Sequence, residues 1–137
     1  MPRFETSEAL SAHMRRIRKM DTKPELLVRR LVHAMGYRYR LHRRDLPGTP
    51  DLVFSARRQV IFVHGCFWHQ HDCPLGNKQP SANPGYWLPK LKRNVERDTL
   101  NRTALERAGW RALVVWECET RDTEALKDRI ADFLGSS

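Results

Sequence analysis

The chain has 137 residues, and its 25 lysines and arginines outweigh 16 acidic residues to give a formal charge of +9. That length suits one hydrophobic core, and so large a basic excess points to a polyanionic partner. The three cysteines cannot all pair with one another, which leaves metal binding or burial as their use. No apolar run approaches a membrane span, and Met1-Pro-Arg-Phe-Glu-Thr6 lacks the hydrophobic stretch of a signal peptide. The expectation is a cytoplasmic, nucleoid-associated protein with no membrane partner.

Residues 1–20 form a basic arm with Arg15, Arg16, Arg18 and Lys19, in which Leu10, Met14 and Ile17 would share one face of a short helix. The remainder, 21–137, reads as the globular domain. Thr22-Lys-Pro-Glu25 has the form of a capping box, and a helix is predicted from there to Gly36 with Leu27, Leu31, Ala34 and Met35 buried. Tyr37, Tyr39 and Leu41 alternate with Arg38, Arg40 and His42, the pattern of a strand with one basic face, and Arg43 and Arg44 follow. Leu46-Pro-Gly-Thr-Pro50 is a turn, after which Asp51–Phe54 and Val60–Val63 are apolar enough to form an antiparallel pair. The segment from Gly65 to Pro84 is rich in Cys, His, Pro, Gly and Asn and is too long to lie structureless unless something organises it. A helix over Leu88–Ala108, with Leu91, Val95 and Leu105 inward, stops at Gly109. A strand over Trp110–Trp116 and a helix over 123–134, with Leu126, Ile130 and Phe133 inward, complete the chain. This order predicts a three-layer α/β domain around a central mixed sheet.

The long loop holds Cys66, His69, His71 and Cys73, and Cys118 follows the last strand. Three thiolates and one imidazole make a closed tetrahedral set for a structural Zn²⁺, with Cys66, His71, Cys73 and Cys118 as the favoured ligands. Roughly 10–16 kcal/mol of apparent binding energy, the range for structural zinc in finger peptides, would hold such a loop. A catalytic zinc would need an open position and less thiolate donation. Spacing alone leaves open whether His69 or His71 is the ligand.

In a hairpin of the two apolar strands, Asp51 would lie beside Val63 and His64. A carboxylate there is suited to a hard cation such as Mg²⁺, which polarises a phosphate and acidifies water. Glu25 offers a second acidic contact, and His69 or His64 could move a proton near neutral pH. Phe67, Trp68 and Trp87 lie among basic residues, where aromatic side chains can stack on bases for roughly 1–3 kcal/mol each. Trp110 and Trp116, on an alternating strand, are assigned to the core.

Thr22-x-Pro-Glu25, Leu46-Pro-Gly-x-Pro-Asp51, Phe62-x-His-Gly-Cys-Phe-Trp-His-x-His71, Tyr86-Trp87, Lys90-x-x-x-Asn94 and Trp116-x-Cys118 together resemble the very short patch repair (Vsr) endonucleases, over roughly residues 7–120. The resemblance implies a restriction-endonuclease-like fold with a structural zinc site. It also implies a strand-specific nick 5′ to the thymine of a T:G mismatch left by deamination of 5-methylcytosine. By position, Asp51 and the Val63 backbone would hold the catalytic Mg²⁺, His69 would act on the attacking water, and His64 and Glu25 would support it. Phe67, Trp68 and Trp87 would wedge the DNA, Lys90 and Asn94 would lie near the mismatch, and Met14 would reach the opposite groove. Val63 stands where well-known members carry threonine, so any hydroxyl role is lost while a backbone contact survives. The implied partner is double-stranded DNA containing the mismatch, bound by a monomer, with mismatch-repair proteins as further partners. Two other readings fit the same residues: a restriction-type or general nicking endonuclease, and a zinc-stabilised DNA-binding protein impaired in catalysis.

Overall fold

The computed structural model describes residues 22–74 and 84–135. The N-terminal arm, with Met14, lies outside the described residues. In chain order the elements are α1 (Lys23–Ala34), β1 (Arg40–Leu41), β2 (Leu52–Phe54), β3 (Gln59–His64), α2 (Pro84–Arg107), β4 (Arg111–Trp116) and α3 (Thr123–Gly135). One-turn 3-10 helices at Ser55–Arg57 and Glu117–Arg121 join β2 to β3 and β4 to α3. The sheet order is β1-β2-β3-β4; the first two pairings are antiparallel, and β3 and β4 run parallel, so the sheet is mixed.

Strand alternation divides the core into two layers. Leu52, Phe54, Ile61 and Val115 pack with Val28 and Val32 of α1 and with Leu126, Ile130 and Leu134 of α3. Val53, Val60 and Phe62 face the other way, onto Leu105 of α2. The parallel β3–β4 pair follows from the connection, since the chain must cross the sheet through the loop and α2 before returning as β4. Among the described residues no helix is long and apolar enough to cross a membrane.

The α1 stripe is rotated from its predicted setting. Val28 and Val32 are fully buried, Leu27, Leu31 and Met35 are half-buried, and Ala34 is exposed. The rotation has a consequence for the site, because Glu25 lies three residues before Val28 and seven before Val32. It therefore shares their face and is buried at 2% exposure. Thr22 caps α1 by accepting from the Glu25 N–H at 3.4 Å, while the Glu25 carboxylate serves Arg29 and His42. β1 is shorter than the alternation suggested. Leu41 is 39% exposed, whereas Tyr37 and Tyr39 pack on the α1 side of the core. On α2, Val95 is exposed rather than inward, and on α3 the buried residue of the last turn is Leu134, with Phe133 half-buried.

The Leu46–Pro50 turn places Gly48 at φ +79° and Thr49 at φ +47°, closed by the Thr49 N–H on the Leu46 carbonyl at 3.1 Å. A Cβ at Gly48 would stand 3.0 Å from the Phe62 ring and 3.1 Å from Asn101, and it would be strained at that φ. Gly48→Ala is expected to cost about 2–4 kcal/mol in urea denaturation, from the left-handed conformation and overpacking together. An unchanged midpoint would show that the turn relaxes freely.

Candidate active site and metal centre

Antiparallel pairing of Leu52 with Ile61 places Asp51 beside the end of β3, where its Oδ2 accepts the Val63 N–H at 2.7 Å. Glu25 reaches the same corner from α1. Its Oε2 lies 2.7 Å from His42 Nε2 and 3.2 Å from Arg29, and His42 Nε2 is 3.8 Å from Asp51 Oδ1. His42 is itself held at φ +51°, with its N–H donated to the Asp51 carbonyl at 3.2 Å. Burial pushes the Asp51 carboxyl up to about 7; the neighbouring Glu25 adds to this, while the Val63 N–H opposes it. Ligand atoms of Glu25, His42 and Asp51 all lie within 4.8 Å of one another, so a divalent cation fits the donor set and would relieve the charge that burial disfavours.

β3 ends at His64, and the chain then makes a tight turn in which the His69 N–H bonds the Gly65 carbonyl and Gln70 adopts φ +52°. The turn returns His69 over His64, with rings 3.7 Å apart and 4° from parallel. His69 Nδ1 lies 2.5 Å from Asp98 Oδ2 on α2. This bond fixes the ring so that Nδ1 carries the proton and Nε2 is left to accept one. His64 differs: burial, reinforced by His69, lowers its pKa to about 3. It is therefore neutral at physiological pH. Its Nδ1 is buried without a hydrogen-bond partner among the described residues. Asp51, Val63, His64, His69 and Asp98 line one cavity of about 150 Å³ together with Gly48, Thr49, Phe62, Asn101 and Arg102.

Cys66, His71, Cys73 and Cys118 converge on one another, again with ligand atoms within 4.8 Å. His71 Nδ1 is 3.7 Å from Cys66 Sγ and 3.5 Å from Cys118 Sγ. With Zn–S about 2.3 Å and Zn–N about 2.0–2.1 Å, a tetrahedral S–N edge is about 3.6 Å, so the four residues fit zinc. Burial pushes the Cys66 thiol up to about 12 and raises Cys118 as well. Two neutral thiols, one buried and one half-buried, facing an imidazole are a poor polar cluster and a good ligand set once a cation draws off the protons. The 3-10 turn presents Cys118, held by Glu119, which accepts the Trp116 N–H at 2.8 Å and pairs with Arg129 of α3 at 2.7 Å. His71 rather than His69 joins the cysteines, which answers the question that spacing left open.

Phe67 and Trp68 occupy the same turn as His69, half-buried, with rings 5.1 Å apart edge to face. Trp87 is placed otherwise than a wedge requires. It is buried at 4% exposure and supports Trp68 at 6.0 Å. Lys90 lies over the Tyr86 ring at 4.8 Å, and the Asn94 amide donates to the Trp68 carbonyl at 3.2 Å, bracing the aromatic turn. Trp116, assigned to the core by alternation, is half-buried and stacks on His71 at 4.2 Å and 12°. Arg43 pairs with Asp45 and bonds Ser55 at 3.2 Å, while Arg44 is exposed.

His42, Asp98 and Asn101 carry no site role in the sequence pattern, and Arg102 figures there only as one of the basic residues that favour a polyanion. For Asp98 a signal existed: it sits midway between Leu91 and Leu105, seven residues from each, a carboxylate on the buried stripe of α2. His42 gave none, because its role depends on a left-handed backbone conformation that alternation does not register.

The family described as DNA mismatch endonuclease Vsr matches residues 4–75. The type II nicking enzyme V.XorIIP of Xanthomonas oryzae pv. oryzae is 51% identical over 124 residues, 90% of each chain. The type II nicking enzyme V.NmeAIP of Neisseria meningitidis serogroup A is 41% identical over 125 residues, 91% of this chain and 89% of the relative. The DNA mismatch endonuclease Vsr of Escherichia coli is 44% identical over 118 residues, 86% of this chain and 75% of the relative. With the Cys/His cluster, the His69–Asp98 pair and Asp51 in place, these matches establish that the chain belongs to the Vsr family of DNA mismatch endonucleases.

Proposed function

We propose that this protein nicks one strand of duplex DNA 5′ to the thymine of a T:G mismatch, in a restriction-endonuclease-like fold, with Mg²⁺ at Asp51 and a structural Zn²⁺ on Cys66, His71, Cys73 and Cys118. The observation that carries the reading is the cavity in which Asp51 and the His69–Asp98 pair face the same space of about 150 Å³. A divalent cation on Asp51 and the Val63 backbone would polarise the phosphodiester and acidify water. His69 takes the proton of the attacking water at Nε2. Asp98 holds Nδ1–H and stabilises the ring as it becomes charged. His64, kept neutral by burial, packs against His69 and fixes its plane. Glu25 is held by His42 and Arg29 at the Asp51 corner, where it adds negative charge for the cation. Phe67 and Trp68, in the same turn as His69, would stack beside a mispaired base, with Trp87 as their support.

The test is a panel of labelled duplexes, T:G and matched, in several flanking contexts, cut by the zinc-loaded protein and by Asp98→Asn. Magnesium-dependent nicking confined to the thymine strand of mismatched DNA is expected, slowed about 10²-fold or more by the substitution at unchanged unfolding temperature. Equal cutting of matched DNA would replace this reading with a general nicking enzyme. Binding without cutting would leave a DNA-binding protein.

A further inference from the structure

Asp51 and Asp98 both face a cavity that has to admit a phosphodiester anion, and fixed positive charge is scarce there. Among the residues lining this cavity and the adjoining one of about 210 Å³, Arg102 is the only lysine or arginine, and it lines both. It follows Asp98 by four residues on α2, the spacing of a helical ion pair. Asp98, however, is committed to His69, and Arg102 has neither a hydrogen bond nor an ion pair among the described residues. Arg43 is turned elsewhere, to Asp45 and Ser55.

We propose that Arg102 is a substrate-binding residue whose guanidinium holds the non-bridging oxygens of the phosphodiester to be cut, from the α2 wall of the cavity. The inference rests on the nicking function proposed above and adds a residue to it. An arginine suits the task because its planar fork matches two phosphate oxygens and stays charged at every relevant pH, which a lysine or histidine would not combine. Its place one turn beyond Asp98 puts phosphate binding and orientation of the base on the same rigid helix, so the water and the phosphorus are held in fixed relation.

The experiment uses the full-length zinc-loaded protein and a T:G duplex carrying a neutral methylphosphonate, in turn at the linkage 5′ to the mismatched thymine and at linkages farther along. Affinities without added magnesium are measured for the wild type, Arg102→Gln, Arg102→Lys and Arg107→Gln, the last a cation of the same helix outside both cavities. Arg102→Gln should weaken binding of unmodified DNA about tenfold and, with magnesium, slow single-turnover nicking roughly 10–100-fold, with partial recovery in Arg102→Lys. The methylphosphonate at the cut linkage should weaken wild-type binding by a similar factor and leave Arg102→Gln unaffected, whereas Arg107→Gln should remain sensitive to it. The unfolding temperature should not move, because Arg102 is exposed. Multiplicative losses from Arg102→Gln and the cut-linkage methylphosphonate would overturn the proposal, as would wild-type nicking by Arg102→Gln. The binding cycle needs no cutting, so a wild type that fails to nick counts against the proposed function and leaves the coupling to judge Arg102.

Discussion

Asp51→Asn is expected to abolish magnesium-dependent nicking, by a factor on the order of 10³, and to stabilise the protein in the absence of added magnesium at neutral and alkaline pH. The two effects have one cause. Burial holds the Asp51 carboxyl at about 7 in the folded chain, against 3.8 when it is free in water. Below pH 3.8 both folded and unfolded chains are protonated and the group contributes nothing. As pH rises from about 4 to about 7 the unfolded chain releases the proton that the folded chain keeps, so stability falls, and the loss levels off above 7. At about 1.4 kcal/mol per unit the full penalty is bounded by about 4 kcal/mol. Asparagine has no proton to lose, and its carbonyl oxygen can still accept the Val63 N–H. Thermal melts of both proteins from pH 4 to 8 should show a difference that grows with pH and then flattens; a constant difference would refute the burial argument. Magnesium should raise the wild-type midpoint more at pH 8 than at pH 6, because its binding displaces a proton, and should not raise that of the variant.

Loss of zinc is expected to have the second large effect. Removing the metal with a thiol-directed chelator, or introducing Cys118→Ser, should lower the unfolding temperature by about 10 °C or more and eliminate nicking. Catalysis falls with stability because of the turn between the ligands: Cys66 starts it, His71 and Cys73 end it, and His69 lies inside it with Phe67 and Trp68. Released from the metal, the turn retains the Asp98–His69 bond and a few backbone bonds to keep His69 over His64. Trp116 offers an internal reporter, since its ring stacks on His71 at 4.2 Å and its fluorescence should change as the ligand is freed. Elemental analysis should find one zinc per chain. Chelation that leaves both midpoint and nicking unchanged would show that the thiols only fill space.

Element order, the mixed α/β class and the residues most open to chemical reading were legible in the chain alone. The apolar, β-branched runs Asp51–Phe54 and Val60–Val63 sufficed for the hairpin, because a short connection between two such strands leaves few alternatives. Three thiols and a histidine in a polar loop and a strand end marked the candidate metal centre, since few other uses suit such a set. The rotation of α1 was not legible there. Leu27, Leu31 and Met35 are as apolar as Val28 and Val32, and only packing against the sheet and α3 decided which stripe faced inward, and with it whether Glu25 capped a helix or lined a site. Tertiary structure likewise decided between His69 and His71, whose separation by a single residue lets one face Asp98 and the other the thiols. It alone joined His42 and Asp98 to the cavity and buried Trp87, because these placements depend on backbone handedness and on neighbours distant in the chain, which no local pattern encodes.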